Sequence, residues 1–446
     1  MSKAFICNMK NDVKNINPKK SDSASPTDTW LVEFNREITL KPKEFPDLVL
    51  KYNTAFMKIF FNPEDIDTNT YLYIQSVALM YEMQFYKKIT NRLSFSGACT
   101  YFVNCNATSD DCSFDQMLEL LVGKISGYSK YQIEKNMIRN ASFMLGMTEG
   151  KRPSLTDCRT KANHVDGVPT LTYCCIMNQS MAGADKLDEW LRRRHSIKEV
   201  FGVLFQIAIA CYALYLSKAT HNDLHSGNSY VKKEKPVQVI YEINKRFYTF
   251  QPQWVPYLYD FDRAYSERIG KNPINDRDMC ADAGQCNDVA IGGNKDFIKC
   301  CCYVIEERQD LKDILTSIVC KPQKPGAVAV FNEIMSDPKC FLRTNQGAGP
   351  AILNLDFTYY FRPITEIIPL LYAESIFSGS KAKFKKLNPA DVHTLNTKLF
   401  DSTGKLIPKL VEKRIRLIYE TYRDRTLWDY VPDVRGRLRK IAPGYF

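Results

Sequence analysis

Glycine is missing from the first 96 of the 446 residues. Backbone that wraps closely around a phosphate usually relies on glycine, because a side chain keeps the chain further from the ligand. The sequence therefore excludes a glycine-rich phosphate loop in this region. A phosphate-covering turn would have to use a segment that carries side chains, such as Ser21–Ser25.

Zinc-binding and secretion signals are also missing. The fifteen cysteines include no CxxC pair and the chain has five scattered histidines, so no zinc framework is indicated. No signal peptide is recognisable, because Met1-Ser2-Lys3 is followed by only four apolar or small residues before polar sequence begins. With the odd number of cysteines, this predicts a reducing cytosol and a protein that is not secreted.

Long hydrophobic runs are scarce, and the strongest is Val200–Leu216, in which Gln206 is the only strongly polar side chain. Its seventeen residues approach the lower limit for a membrane span. The run contains Gln206, has no second copy, and is followed after four residues by a polar loop. We therefore predict a buried helix of a globular protein and no transmembrane span.

That polar loop, His221–Asn228, reads His-Asn-Asp-Leu-His-Ser-Gly-Asn, and thirty-two residues after its last residue stands Asp260-Phe261-Asp262. Asp223 can orient a hydroxyl nucleophile or accept its proton, while Asn228 and Asp260 offer the hard oxygen ligands that Mg²⁺ prefers, and Mn²⁺ is an alternative ion. A base and a metal ligand on one loop, with a second metal ligand further on, is typical of phosphoryl transfer. Each segment alone also fits a solvated turn rich in Asp, Asn, Gly and Ser.

The loop matches the protein-kinase-like pattern H-x-D-L-x-x-x-N, and Asp260–Asp262 resembles the metal-binding D-F-G. With His225 where protein kinases usually carry Lys, the loop is similar to those of aminoglycoside and choline phosphotransferases and of atypical kinases linked to ubiquinone biosynthesis. The phrase Tyr259–Ala264 looks most like the serine/threonine kinases of large nucleocytoplasmic DNA viruses, including the poxvirus virion kinase group. His221 is expected to be structural, bonding backbone beneath the loop.

The resemblance implies partners upstream. Lys58 stands alone in the apolar alternating strand Ala55–Phe61 and would contact the α and β phosphates of ATP. Glu82, on a helix expected over Thr70–Ile89, would pair with it. By itself, a lysine on a half-buried strand is usually a solvent-facing residue, and Glu82 could be an ordinary exposed residue of a helix.

The adenine-binding hinge is expected over Asn178–Gly183, with Gln179 and Met181 as nucleotide contacts. It follows a buried strand predicted over Val168–Met177. Asp296, at the start of a Cys-rich apolar helix, matches the aspartate with which the family bonds the backbone of the catalytic loop. An acid favoured by the dipole at a helix N-terminus is the alternative interpretation of Asp296.

The implied fold is α+β: a two-lobed protein-kinase-like fold with a small β-rich N-lobe, a larger helical C-lobe, and insertions. The expected domains are the N-lobe over 1–177, the hinge and C-lobe over 178–380, and a basic helical extension over 381–446. An insertion is expected at about 112–165, with helices over Met117–Ile125 and Ile133–Leu145, while Tyr101–Cys105 would supply a strand.

The predicted activity is ATP-dependent transfer of the γ-phosphate to protein hydroxyls by a viral serine/threonine kinase of the host cytoplasm or the virion. Three features depart from the family: the missing glycine loop, Asn222 in place of the Arg of H-R-D, and Asp262 in place of the Gly of D-F-G. They leave two alternatives open. One is a catalytically weak pseudokinase that acts as a binding protein, and the other is a small-molecule phosphotransferase.

Positive charge is concentrated near the C-terminus. The chain carries a net charge of +11, and residues 381–446 contain sixteen Lys or Arg against seven Asp or Glu. An apolar stripe from Ile407 to Tyr422 lies beside basic positions, and Arg435, Arg437, Arg439 and Lys440 follow it. This is either a solvated basic face of a last helix or a docking surface for a polyanion such as nucleic acid or an anionic membrane.

Overall fold

The structure, a computed structural model, describes residues 4–18, 28–42, 48–63, 71–125, 127–133, 172–236, 239–243, 246–275, 289–336, 357–377 and 437–441. The chain forms two compact units that alternate along the sequence. Unit 1 contains Met1–Asn91, Val103–Ala182 and Asn272–Ile274, and unit 2 contains Arg92–Phe102, Gly183–Lys271 and Asn275–Phe446.

Strands and helices are present in both units. The described strands are β1 (Val13–Pro18), β2 (Asp28–Leu40), β3 (Leu50–Phe61), β4 (Cys105–Ser113), β5 (Thr172–Gln179), β6 (Asp185–Lys186), β7 (Ala219–Thr220), β8 (Ser229–Lys233), β9 (Val239–Ile243), β10 (Arg246–Phe250), β11 (Trp254–Leu258), β12 (Tyr265–Ser266) and β13 (Arg437–Ile441). The described helices are α1 (Ala4–Cys7), α2 (Tyr71–Phe85), α3 (Asn91–Phe95), α4 (Phe114–Leu121), α5 (Leu187–Arg192), α6 (Ile197–Leu216), α7 (Val289–Glu307), α8 (Lys312–Val319), α9 (Ala327–Ser336), α10 (Phe357–Tyr360) and α11 (Ile364–Phe377).

Unit 1 is built on a five-stranded antiparallel sheet in the order β1-β2-β3-β5-β4. In the central strand β3, Ala55, Met57 and Ile59 are buried in the hydrophobic core of the unit. Successive side chains of a strand point to opposite faces, so the intervening Lys58 lies on the other face. The alternation that surrounds Lys58 in the sequence thus places its side chain away from this core.

Helix α4 completes the unit 1 core. Ser113 caps the helix by accepting a hydrogen bond from the backbone of Gln116, and the Gln116 side chain accepts from the backbone of Ser113, which satisfies N–H groups that a helix start leaves open. Met117 and Leu120 of the helix are fully buried. Residues 114–121 are therefore part of the core of unit 1, although they fall in the predicted insertion, and 134–165 lie outside the described residues.

A disulfide that the sequence analysis did not predict joins Cys7 of α1 to Cys112 of β4, whose Cα atoms lie 5.3 Å apart. The reducing compartment expected from the cysteine pattern does not favour such a bond. The nine other described cysteines are buried and carry no disulfide. Burial raises the pKa of Cys175 and Cys300 to about 12, so these thiols are held in the unreactive protonated form.

Unit 2 is organised around α6. This helix packs against α7 and α11, and all its residues from Val200 to Leu214 are buried. Gln206 is accommodated because its Nε2 donates to the carbonyls of Gly202 and Trp254, at 2.9 and 2.8 Å. Among the described helices, α6 is the one long and apolar enough to cross a membrane. Of its most apolar stretch of 18 residues, 83% is buried inside the protein, as in a core helix.

Short strands frame the polar loops of unit 2. β8 lies between β11 and β6, and β7 pairs with β12. A third sheet places β9 between β10 and β13, with β13 parallel to β9. The extension over 381–446 was expected to be helical, but Arg437–Ile441, its one described segment, is a strand. The apolar stripe from 407 to 422 lies outside the described residues.

The predicted α+β class is confirmed, with a sheet-based unit 1 and a larger unit 2 in which helices predominate. Two strand predictions need correction. The strand expected at Tyr101–Cys105 begins at Cys105 and runs to Ser113, and the strand expected at Val168–Met177 is described over Thr172–Gln179. Residues 168–171 lie outside the described part of the chain.

Candidate active site

Unit 1 contains an ion pair between Lys58 and Glu82. The Nζ atom of Lys58 lies 3.0 and 2.9 Å from the two carboxylate oxygens of Glu82. Glu82 is fully buried and the Lys58 side chain is 15% exposed. Removing a carboxylate from water is costly unless a cation compensates it, so the pair fixes the position of the lysine head.

Helix α2 presents Glu82 to the strand. The helix expected over Thr70–Ile89 is described as α2, Tyr71–Phe85, followed by a π-helical turn at Tyr86–Thr90. Glu82 lies in its last full turn, and its neighbours Tyr81 and Met83 are also buried. The structure thus brings together the two residues that the sequence analysis paired, while their contact with ATP stays a prediction.

The expected hinge lies at the end of β5. Gln179 is the last residue of that strand, and its backbone N–H donates to the carbonyl of Asn104 at 2.7 Å. That N–H is therefore not available to a nucleotide in this conformation. Met181 is buried. An adenine contact by these two residues stays a prediction.

In unit 2 the loop His221–Asn228 is anchored by Asp296 of α7. Asp296 Oδ2 accepts from the backbone N–H of His221 at 2.6 Å, and Oδ1 accepts from that of Asn222 at 2.8 Å. The hydroxyl of Thr220 donates to the same carboxylate at 2.9 Å. Helix α7 begins at Val289, so Asp296 lies beyond the first turn, where the helix dipole would favour an acid. Its hydrogen bonds to the loop therefore support the anchoring role.

Asn222, which stands where the family pattern has Arg, holds the loop in a tight bend. Its φ is 64°, a left-handed conformation that Asn tolerates better than most residues. Its Oδ1 accepts from the buried ammonium of Lys295 at 2.7 Å, and its Nδ2 donates to the carbonyl of Arg263 at 3.1 Å. A neutral amide bonded to a lysine therefore stands at the position where the kinase-like pattern that the loop resembles has arginine.

The Asp223 carboxylate lies between two cations. Its Oδ1 is 2.5 Å from Lys299 Nζ of α7, and its Oδ2 is 3.7 Å from Arg263 Nε. Burial alone would raise the pKa of Asp223, but the charge of Lys299, followed by that of Arg263, outweighs it and lowers the pKa to about 2. Asp223 is therefore ionised at neutral pH and can accept a hydrogen bond from a hydroxyl.

Asn228 and Asp260 lie on adjoining loops. Asn228 Nδ2 donates to the carbonyl of Asp223 at 2.9 Å, which leaves the amide oxygen as the end for a cation. The backbone N–H of Tyr259 donates to the carbonyl of Asn228 at 3.1 Å, so Asp260 directly follows a residue bonded to the loop. Asp260 has a φ of 68°, a strained conformation for a non-glycine residue of the kind that clusters at functional sites.

Two histidines support this arrangement. His221 is fully buried, its Nε2 donates to the carbonyl of Tyr259 at 3.0 Å, and its ring packs on Phe261. It has the structural role expected from the sequence. His225 Nδ1 accepts from the backbone N–H of Gly227 at 3.0 Å, and a Cβ atom at Gly227 would come within 2.8 Å of the same ring. A larger residue at 227 would therefore have to displace the His225 ring and its hydrogen bond.

Sequence reasoning missed Lys295, Lys299 and Arg263. The signal for the lysines was present in α7, because Lys295 and Lys299 are four residues apart in an apolar helix and so lie on one face with Asp296. Lysines in such a stretch indicate buried anionic or carbonyl partners. No sequence signal singles out Arg263, since its contact with Asp223 depends on how the two loops fold together.

A scan against protein-family models finds no match for this chain, and a search of curated proteins finds no similar sequence. Among solved structures, the chain is similar to the crystal structure of the kinase domain of PF14_0431, with 10% sequence identity and a TM-score of 0.34. The similarity covers 95% of this chain and 98% of that one. A similarity this loose assigns no activity, so the functional argument rests on the residues described above.

Proposed function

We propose that the chain is an ATP-dependent phosphotransferase of the protein-kinase type that transfers the γ-phosphate to serine or threonine hydroxyls of protein substrates. The observation that carries this proposal is the loop of unit 2. Its Asp223 is held ionised, its Asn228 is bonded to the Asp223 carbonyl, and Asp260 follows on the adjoining loop. This combination supports a hydroxyl acceptor and a phosphate-bound cation at neighbouring positions.

Asp223 would act on the acceptor. An ionised carboxylate accepts a hydrogen bond from the attacking hydroxyl and aligns its oxygen with the γ-phosphorus. As the new oxygen–phosphorus bond forms, the bond from the γ-phosphorus to the bridging oxygen breaks and ADP leaves with the electron pair. The hydroxyl proton passes to Asp223. A pKa of about 2 makes the carboxylate a weak base, which favours orientation of the hydroxyl as its main contribution.

The oxygen ligands at the site fit Mg²⁺ or Mn²⁺. Asn228 Oδ1 and the Asp260 carboxylate would hold the ion, which when bound neutralises phosphate charge. Among the described residues there is no group of three His, Cys, Asp or Glu side chains that could hold a metal alone. That matches Mg²⁺ sites completed by nucleotide phosphates and water rather than by an all-protein cage.

In unit 1, Lys58 would contact the α and β phosphates of ATP, with Glu82 fixing its ammonium. The side-chain exposure of 15% for Lys58 against none for Glu82 supports this division of roles, because the lysine is the partner that a ligand can reach. Gln179 and Met181 stay the proposed contacts of the adenine.

The test is an assay with purified protein, Mg²⁺ and labelled ATP, offered a panel of proteins and a panel of small alcohols. We expect label on serine or threonine, and loss of transfer by about a hundredfold or more in Asp260→Asn and in Asp223→Ala. Asp310→Asn is the matched control, since it removes a carboxylate of unit 2 that pairs with Arg308 at the surface.

Each other outcome has a clear meaning. Label on the alcohols would make the chain a small-molecule phosphotransferase. Nucleotide binding without transfer to any acceptor would make it a binding protein. Turnover unchanged in both Asp260→Asn and Asp223→Ala, with intact circular dichroism, would show that these loops are not the site.

The proposed setting is the cytoplasm of an infected host cell or the virion. It rests on the resemblance of Tyr259–Ala264 to kinases of large DNA viruses, and the basic C-terminal segment would add a polyanionic partner. Detection of the chain by mass spectrometry in purified, protease-treated virions is the test of packaging. Its presence only in infected-cell cytosol would exclude the virion.

A further inference from the structure

Among the described residues, the cation closest to the proposed base comes from helix α7 and not from the loop that carries the base. Lys299 Nζ lies 2.5 Å from Asp223 Oδ1, and the Lys299 side chain is 5% exposed. The two residues are 76 positions apart in the sequence. Arg263 is more distant from the carboxylate, at 3.7 Å, and its side chain is 38% exposed.

One face of α7 holds three successive residues of the loop. Asp296 accepts from the backbone of His221 and Asn222, Lys295 donates to the Asn222 side chain, and Lys299 reaches the carboxylate of Asp223. Positions 295, 296 and 299 share a helix face because residues three and four apart are neighbours. A rigid helix therefore fixes both the path of the loop and the direction of its functional side chain.

His225, two residues after the base, does not supply this charge in the observed arrangement. Its Nδ1 accepts the N–H of Gly227, and an imidazole nitrogen that accepts a hydrogen bond carries no proton. Its Nε2 is 4.0 Å from Asp223, further than the lysine. The described contacts thus leave Lys299 as the nearest cation that orients the carboxylate.

We propose that Lys299 is the positioning residue of the base: its ammonium, delivered from α7, holds the Asp223 carboxylate in the orientation that binds the acceptor hydroxyl. This inference rests on the proposed function of Asp223. It predicts that Lys299 contributes to turnover only through Asp223. A lysine that merely stabilised the fold would contribute whether or not Asp223 was present.

A double-mutant cycle tests this prediction. It compares wild type, Lys299→Met, Asp223→Asn and the double variant, each assayed for turnover and for the KM of Mg-ATP. We expect Lys299→Met to lower kcat at least about tenfold, with the KM for ATP within about twofold, because Lys58, Asn228 and Asp260 are unchanged. In the Asp223→Asn background the same substitution should have no further effect on kcat.

Lys299→Arg is the conservative variant, needed because Lys299→Met leaves Asp223 buried without its partner and could unfold the chain. The charge-free double variant removes both partners and is expected to fold. Lys299→Arg should turn over faster than Lys299→Met or, if that variant does not fold, faster than the double variant. Equal or lower turnover of the arginine variant would overturn the proposal.

The cycle separates the two proposals. Wild-type turnover in Asp223→Asn would sink the proposed function, because Asp223 would then not orient the acceptor. A large loss in Asp223→Asn combined with full turnover in Lys299→Met would sink only the role of Lys299. The same fold-loss from Lys299→Met in both backgrounds would also overturn that role, since the lysine would then act through the fold.

Discussion

Each unit contains a buried carboxylate that a lysine from another element compensates: Glu82 in unit 1 and Asp223 in unit 2. Lys58 reaches Glu82 across from β3, and Lys299 reaches Asp223 from α7. A buried carboxylate that loses its partner keeps the cost of desolvation without the attraction that offset it. At the scale of single residues, each lysine therefore stabilises the fold as long as its carboxylate is present, in addition to its role in the proposed chemistry.

The Lys58–Glu82 pair allows stability and ATP binding to be separated. Lys58→Met should lower the free energy of unfolding by about 3 kcal/mol, because Glu82 is left unpaired in the interior. The double variant Lys58→Met with Glu82→Met should regain most of that stability, since it buries no charge. Urea denaturation of the wild type and both variants measures this effect.

ATP binding should not recover in the double variant as the free energy of unfolding does. Thermal stabilisation by Mg-ATP should be reduced equally in the single and the double variant, because both lack the ammonium that would contact the phosphates. If the double variant were stabilised by Mg-ATP as much as wild type, Lys58 would not be the phosphate lysine.

Functional residues can be proposed from the sequence most directly where the spacing of their chemical groups is local. The Asp–Asn loop and the alternation around Lys58 can be read directly, because a strand and a short loop fix their neighbours over a few positions. Lys299 could not be assigned to Asp223 in this way, because the contact joins residues 76 positions apart and depends on how α7 packs on the loop.

At the scale of elements, an aromatic cluster joins α5, α6 and β11. The ring of His195 stacks on Trp190 of α5 with centroids 4.0 Å apart and meets Trp254 of β11 edge-on at 5.1 Å. Trp254 Nε1 in turn donates to Glu199 of α6 at 3.1 Å. The imidazole thus packs between the two tryptophan rings. Because this packing removes the ring from water, it favours the neutral form.

The stability of the protein should depend on the protonation of His195. Burial lowers its pKa below the ordinary value of 6.5, although Glu199 acts in the opposite direction. Between the lowered pKa and about 6.5, the unfolded chain binds the proton more readily, so stability falls as pH drops through that window and is fully present above it. We expect urea midpoints between pH 7.5 and 5.5 to decline less in His195→Phe than in wild type.

Phenylalanine keeps the stacked ring at position 195 but cannot be protonated. The difference between the two proteins in how the urea midpoint changes with pH therefore reports the protonation of His195. Some slope should remain, because burial also lowers the pKa of His225. Midpoints that decline in parallel for the two proteins would show that His195 does not contribute.

Helices and strands were predictable from the sequence where the local residue preferences match the structure that tertiary packing imposes. The buried helix α6 was found because its apolar run has the length of a core helix, and α2 because the kinase resemblance implies a glutamate-bearing helix after the strand of Lys58. Strand β4 was largely missed, since Cys105–Ser113 is rich in Asn, Asp and Ser, which are depleted from strands. Pairing with the buried strand β5 overrides that local preference, and a single sequence does not reveal such a partner.

At the scale of the whole molecule, the Cys7–Cys112 disulfide closes a loop of 105 residues in sequence. Such a link restricts the unfolded chain, with a stabilisation of roughly 2–5 kcal/mol. We expect Cys7→Ser with Cys112→Ser to lower the midpoint of thermal unfolding, and dithiothreitol to have the same effect on wild type. The double variant should not respond to the reductant.

That comparison also bears on the compartment in which the protein works. If wild type isolated under non-reducing conditions contained two free thiols at these positions and had the same midpoint as the double variant, the bond would not form in solution.

The basic C-terminal segment gives the last prediction. Replacing Arg435, Arg437, Arg439 and Lys440 with Gln should weaken binding to a polyanion and flatten its dependence on salt. Transfer to a short peptide should stay nearly unchanged, because these residues carry no ligand chemistry for the proposed metal loops. Binding to nucleic acid and to anionic liposomes, measured as a salt series, tests the first part.

The strand β13 adds a second possible result, since Arg437–Ile441 pairs with β9 of unit 2. A loss of peptide phosphorylation that accompanies a lower unfolding midpoint would mean that this strand supports unit 2. Equal polyanion binding by both proteins would leave the segment as a solvated basic face.

The alternation of the two units along the chain has a consequence for how such a protein can be inherited. The chain passes from one unit to the other at 91/92, 102/103, 182/183, 271/272 and 274/275. A single recombination event within the gene would therefore split at least one unit, and neither unit can be transplanted into another gene as one uninterrupted stretch. Any uninterrupted stretch that holds all of one unit also holds part of the other, so one unit alone could be transferred only as several separate pieces.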